Sequence, residues 1–560
     1  MLRTLFRSAL FIAYLSALFT LGCKGHTTMP GPTITSVTPS GGTIGHAGQS
    51  INFTGVATSA FAITHLWTVT GTGVSIAGAT TATPTITFTL PGSYTVTYFA
   101  SDVNGTSSLP VSVVIDPALP VLTDLTASST LPFTDATFSI DSTSQPTDWL
   151  WHFDKGADPE TSTDESPTVR LLKPGTYPVS VDVTNDQGTT TFTGTYTVAD
   201  PAWTRIVLGD ALTGYPNDFA SIAILDDRIA ILHNSPQGLM FTRATTSNPT
   251  TEGDFVSYLL EGGYQGRGRH TLMAVDGRFA ALYGWGTRFA MATSDEPATA
   301  GDWSIYSVGD ASESGPLSGC SMAVRADRLA IVFESTTGFL NFLHAAVAHP
   351  TSLGDWSDLS QVLPDGPIGG ELANPVLLDG GDFWYLSASA VDNTGGSGTQ
   401  PYNVFFRSLV ADPAGPSDWQ RAEVGFTGGY QSGLGVFGGV PVLVTCGPLE
   451  VLVATDLDPV RSEDWVNVAS ALGVNWNPVI VDANDRPAVF YYDAAQRSLV
   501  LLRAVDDTLT APNAWWSTAV DTEGDVGFGM EACQVGDQYA VAYIDQTNGK
   551  LKLAISGGTY

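Results

Sequence analysis

The chain of 560 residues is poor in positive charge and in cysteine, with 23 Lys and Arg against 55 Asp and Glu and only 4 cysteines. A net charge of −32 repels phosphate backbones, which excludes nucleic acid as a partner. Beyond Cys23 the cysteines are Cys320, Cys446 and Cys533, too few and too far apart for a disulfide framework. With no CxxC pair or His/Cys cluster they make no zinc site either, and they read as small buried hydrophobes in strands. Histidine, at 8 residues, leaves few candidates for a general base. No Gly-x-Ser-x-Gly elbow, His-Glu-x-x-His metal motif or phosphate loop is present. After Cys23 no run reaches the roughly 18 apolar residues of a membrane-spanning helix.

What is plentiful is glycine and proline, 59 and 33, with 43% hydrophobic and only 14% charged residues. That balance suits many short strands joined by tight turns, and it disfavours helical bundles. The length predicts roughly three or four domains. The acidity is read as solubility in an exposed setting, with scattered calcium sites as the alternative, because hard cations take oxygen ligands. No other cofactor is expected.

Arg3 and Arg7 precede a mostly apolar stretch, residues 8–21, that ends at Leu21-Gly22-Cys23. This resembles the lipobox of bacterial lipoproteins, with Thr20 where Leu is commonest and Lys24 after the cysteine. The resemblance implies a signal peptide over residues 1–22 and a diacylated Cys23 as the sole membrane attachment. The protein is then exported to the outer membrane or cell surface, and residues 23–32 form a short tether.

Two segments of one plan follow. The first holds Trp67, Pro84-Thr85-Ile86, Pro91-Gly92-Ser93-Tyr94-Thr95-Val96 and Gly105; the second holds Trp151, Pro167-Thr168-Val169, Pro174-Gly175-Thr176-Tyr177-Pro178-Val179 and Gly188. Pro-Thr to Pro-Gly spans seven residues in both, and the Pro-Gly glycine precedes the later turn glycine by thirteen in both. This is an internal repeat. The period-two alternation after each Pro-Gly turn marks half-buried strands. Trp151-His152-Phe153-Asp154-x-Gly156 and the Pro-Gly-Thr-Tyr run resemble the PKD (polycystic kidney disease) domain, an immunoglobulin-like β-sandwich. The resemblance implies spacer or adhesion modules at residues 33–117 and 118–200, weaker in the first, where Trp67-Thr-Val-Thr replaces the Trp-x-Phe-x-x-Gly stretch.

From residue 201 a different repeat begins. An aromatic, usually after Asp, opens a short strand at Trp203, Phe255, Trp303, Trp356, Trp419, Trp465 and Trp515, at gaps of 46 to 63 residues. Pro249, Pro297, Pro350, Pro413 and Pro459 each stand six residues before their aromatic. The spacing is that of one four-stranded propeller blade. The last unit lacks its fourth strand, and the segment at Trp203 supplies it from the front, closing a ring. The fold expected is therefore all-β: two immunoglobulin-like sandwiches, then a seven-bladed β-propeller over residues 201–560 with N-terminal strand closure. Each Asp is expected to accept turn N–H groups, and each aromatic to fill the wedge between blades.

The loops on one rim are uneven. They bring Tyr264, Gln265, Arg267, Arg269, Tyr430, Gln431 and Trp476 (within Asn475-Trp476-Asn477), and hairpins add Trp285, Tyr492, Asp493, Tyr543 and Asp545. Aromatics stack on sugar faces, while amides and carboxylates satisfy hydroxyls, so these residues are the candidate ligand contacts. No catalytic residue stands out. Asp-box repeats of sialidases are absent, and no motif singles out the carboxylate pair of a glycosidase. The reading favoured is a monomeric, non-catalytic surface protein that binds a carbohydrate or an extracellular protein. A glycan hydrolase or lyase and a scaffold of an envelope assembly are the alternatives.

Overall fold

The computed structural model describes residues 29–557 except 215–218, 264–268, 285–287, 310–318, 335–338, 358–359, 362–370, 392–401, 428–430, 483–485, 506–508 and 510–513. Among the described residues regular structure is strand, with only short 3₁₀ turns as helix. None of these helices is long and apolar enough to cross a membrane.

The two repeats fold alike because the same side chains tie the same carbonyls. In the first, strand Gly92–Asp102 buries Tyr94, Val96, Tyr98 and Ala100 on one face and shows Ser or Thr on most of the other. It pairs antiparallel with Gly105–Asp116 and Thr64–Thr70. In the second, Gly175–Asn185 pairs with Gly188–Val198 and Asp148–His152. Trp67 and Trp151 are both buried. Their indole N–H groups donate to Thr81 O at 2.9 Å and Asp164 O at 3.0 Å. Tyr94 and Tyr177 each donate to the carbonyl four residues back, Leu90 and Lys173, at 2.8 and 2.9 Å. A buried indole or phenol needs such a partner, which is why these positions recur. Gly156 admits no side chain, since a Cβ there would lie 2.3 Å from the Tyr177 ring.

Residues beyond 201 form antiparallel groups of four strands. Ala220–Leu225 begins one, Thr271–Val275 the next, then Cys320–Arg325, Glu371–Asp379 and Ser432–Phe437. The long strand Trp465–Asp482 ends one group and begins another, so those two share a seven-stranded sheet. The last group starts at Val526–Val535. The first strands touch their neighbours in chain order, and Val526–Val535 also touches Ala220–Leu225, which closes a propeller-like ring. Trp203–Asp210 pairs with the C-terminal strand Lys550–Ser556, as the unpaired edge of the last group requires.

The repeated Asp-aromatic element has the expected job. The carboxylate of Asp302 accepts the N–H groups of Ala298 and Thr299, both at 2.9 Å, and Asp254, Asp355, Asp418 and Asp464 do the same in their turns. The following tryptophan then packs edge-on against a phenylalanine of the preceding group: Trp303 on Phe241, Trp356 on Phe289, Trp419 on Phe342 and Trp465 on Phe405. Their ring centres lie 5.1 to 5.3 Å apart. That separation is the favourable T-shaped range. Serines one residue into the inner strands add a second tie, since Ser221 Oγ accepts Leu272 N–H and Ser321 Oγ accepts Leu377 N–H.

The second sandwich docks on the ring through Phe133. This residue is buried, holds φ at 61°, and lies 5.9 Å from the Trp516 ring. The buried Arg503 guanidinium sits 4.3 Å above the Phe133 ring.

Candidate functional site

The first strands of the groups enter the ring from one end, and their beginnings converge on a small pocket. It is lined by Phe219, Ala220, Arg269, Asn374, Gln431, Ser432, Asn477, Pro478, Val479 and Met530. Three of those strands are irregular there, with register shifts between Ala373 and Val376, Trp476 and Val479, and Phe528 and Glu531. Asn374 and Asn477 take φ near +50° at these bulges, a conformation Asn tolerates better than most residues. Bulges re-aim side chains, and here they bring two amides into the mouth of the ring.

The polar groups at the mouth are mutually engaged. Gln431 Oε1 accepts the Asn477 N–H at 2.9 Å. Arg269 Nη2 donates to both carboxylate oxygens of Glu531, at 3.1 and 3.4 Å. The enclosed space is about 20 Å³, room for roughly one water molecule. A space of that size does not admit a sugar ring.

The candidate contacts read from the sequence divide three ways. Arg269 and Gln431 lie at the mouth, and Trp476, half-buried beside Asn477, packs against the core there. Tyr264, Gln265, Arg267, Trp285 and Tyr430 lie outside the described residues, as does Cys23. The remaining four make bonds within the ring. Tyr492 donates to Asp525 Oδ1 at 2.7 Å and Tyr543 to Asp521 Oδ2 at 2.6 Å. Asp493 and Asp545 accept turn N–H groups, from Ala495 and Gln496 and from Asn548. Asn374 at the mouth, and Glu531 that pairs with Arg269 there, are the residues that the sequence reading missed. Nothing local marks either one, although each lies at a register shift of an inner strand.

No carboxylate is among the described residues that line the mouth; Glu531, next in sequence to Met530, is paired with Arg269 of the lining. Glu261, further out, is held by Arg288 at 2.8 Å. The two histidines of this region are buried, and burial pushes both down to about 4. His270 Nε2 lies 2.9 Å from Leu232 O, which fixes its proton there. No group of three His, Cys, Asp or Glu residues that could hold a metal ion occurs among the described residues. The described lining can offer amides and a guanidinium, the latter paired with Glu531, to a ligand. The described residues there do not display the two free carboxylates of glycoside hydrolysis.

Residues 116–199 match the PKD domain family. No curated protein sequence matches the chain. Among solved structures it is similar to an alpha-L-arabinanase of Penicillium chrysogenum complexed with arabinobiose, at 10% identity and a TM-score of 0.37, over 64% of this chain and 98% of that one. A GH93 alpha-L-arabinofuranosidase of Fusarium graminearum with arabinobiose gives 10% identity and 0.37, over 63% and 96%. A GH43 protein from Bacillus licheniformis gives 11% and 0.27, and there the match covers 42% of this chain and 51% of that one.

Proposed function

We propose that this chain is an exported, lipid-anchored surface protein whose seven-bladed propeller binds a carbohydrate or an extracellular protein without chemical turnover. Cys23 carries the anchor and two sandwich modules hold the ring away from the membrane, spanning residues 33–117 and 118–200. The ligand meets the ring at its mouth, against Arg269, Asn374, Gln431 and Asn477.

The observation that carries the reading is the Arg269–Glu531 pair. It balances the charge of the mouth's guanidinium, and amides make up most of the other described polar lining. Amides and a guanidinium satisfy hydroxyls and carbonyls by directed hydrogen bonds, which suits recognition. Turnover of a glycoside needs a protonated acid and a second carboxylate across the scissile bond.

The test is a glycan and polysaccharide array with residues 24–560, run with calcium and with chelator. Specific binding that falls at least tenfold in Arg269→Ala and Gln431→Ala supports the reading. Release of reducing sugar from a bound polysaccharide overturns the non-catalytic part of it.

A further inference from the structure

A groove crosses the outward face of the second sandwich, on the sheet formed by Thr161–Ser162, Asp148–His152, Gly175–Asn185 and Gly188–Val198. Its space is about 490 Å³, within the range of roughly 300–1,000 Å³ in which proteins hold ligands. The two-residue period puts Trp151, Val179 and Val181 in the core, so the residues between them face out. Thr161, His152, Ser180 and Thr193 stand opposite one another in register and form a row across all four strands. The chain leaves the sheet after His152 through the turn Asp154–Gly156, which adds Asp154 and Glu160 to the lining. All six of these residues are exposed except the half-buried Ser180, so a ligand in the groove reaches them.

The row is unlike its neighbours. On the same pair of strands Thr184 bonds to Thr189 at 2.8 Å, Thr191 donates to Asp182 at 2.6 Å, and Thr176 meets Thr197 at 3.4 Å. Ser180 and Thr193 stand opposite in the same way and do not bond. Among the described residues, which include the whole of this sandwich, the six polar side chains of the groove make no hydrogen bond or ion pair with one another or with the rest of the chain.

Charge and shape select the occupant. Two carboxylates line the groove, and no Lys or Arg does. An anion therefore meets only like charge, while the net charge of −32 draws cations to the surface. A metal ion lacks its ligands, since no group of three His, Cys, Asp or Glu residues that could hold one occurs among the described residues. A sugar ring finds no Trp, Tyr or Phe in the lining to stack on. A lysine or arginine side chain fits, because its cation pairs with Asp154 and Glu160 while flanking peptide groups bond the hydroxyls.

We propose that this groove docks an extended basic segment of a partner protein, with a lysine or arginine on Asp154 and Glu160 and its backbone over His152, Ser180 and Thr193. The second sandwich is then a recognition module in its own right, and its binding does not depend on what the ring takes.

The experiment is fluorescence anisotropy on the anchor-free chain, residues 24–560, with a labelled short peptide of alternating Lys and Ser and a Glu–Ser peptide as control. The expected result is saturable binding of the Lys peptide alone, weakened at least fivefold in Asp154→Asn with Glu160→Gln. Glu165→Gln with Asp186→Asn removes the same charge from exposed positions of the sandwich outside the groove, and should leave binding unchanged. Thr193→Trp fills the groove from an exposed position at constant charge, and should weaken binding as much as the first pair. Equal loss in the two carboxylate pairs would reduce the effect to the general acidity of the surface and overturn the proposal. So would binding that survives Thr193→Trp, no binding of the Lys peptide, or tighter binding of a glucosamine oligomer than of the peptide.

Discussion

The ammonium of Lys552 donates to the carboxylate of Asp521, and both side chains are enclosed. Lys552 belongs to the C-terminal strand and Asp521 to the neighbouring group, so the bond crosses the seam where the ring closes. Tyr543 donates to the same Asp521 oxygen and Glu523 N–H to the other. Arg205, on the strand that completes the last group from the front, lies 3.7 Å from Asp521 Oδ1 and donates to Val520 O. Both ends of the ring's chain are thus held by one carboxylate.

Burial by itself would raise the Asp521 carboxyl, but the bonds from Lys552, Tyr543 and Glu523, with the lysine's charge, hold it below the usual range. Lys552→Met leaves that carboxylate enclosed with only the more distant, part-exposed Arg205 as a cation, and breaking a buried pair costs about 3–5 kcal/mol at most here. Denaturant unfolding of the single variant and of Lys552→Met with Asp521→Asn checks it. The double variant should recover most of the loss; a single variant within 1 kcal/mol of the parent, on that same scale, would show the seam does not depend on the pair.

Stability should fall on mild acidification. His233 and His270 are buried and neutral, with burial pushing each from 6.5 to about 4, so between those values only the unfolded chain takes up the protons. The unfolded state then binds more protons, and stability drops as pH falls from about 6.5 to about 4, by up to about 3 kcal/mol per histidine. Melting curves across that window measure the slope, and His270→Gln should flatten it. An unchanged slope in that variant argues against the buried neutral state.

Trp303→Ala removes a buried ring from between two groups and should cost about 3–5 kcal/mol. Asp302→Ala, which frees only the turn N–H groups, should cost clearly less. Chemical denaturation of the two variants decides it, and equal losses would mean that the turn, not the aromatic wedge, joins the groups.

Phe133→Asn should loosen the second sandwich from the ring. Asn accepts the positive φ held at that position while the ring over Arg503 is deleted. Small-angle scattering should show a larger radius of gyration. An unchanged profile would place the rigidity of the joint elsewhere.

The strands were readable because their causes are local. Tyr94, Val96 and Tyr98 alternate inward, Pro-Gly turns the chain before them, and Asp302 caps a turn three residues long. Each of these is decided by neighbours within a few positions. Ring closure was readable too, since the last group lacks a strand that the segment at Trp203 supplies. The candidate site was legible only in part. Arg269 and Gln431 reached the mouth, whereas Tyr492 and Tyr543 have the composition of rim contacts yet spend their hydroxyls on Asp525 and Asp521.

Composition and spacing by themselves determined the all-β class, the two repeats and the Asp-aromatic joints, because hydrogen bonds between near neighbours and the period-two pattern of burial specify them. Tertiary structure alone decided that Arg269 meets Glu531, that Lys552 meets Asp521, that Phe133 lies under Arg503 and that His233 keeps an unmet nitrogen. Arg269 and Glu531 are 262 residues apart, and only the closing of the ring brings them together.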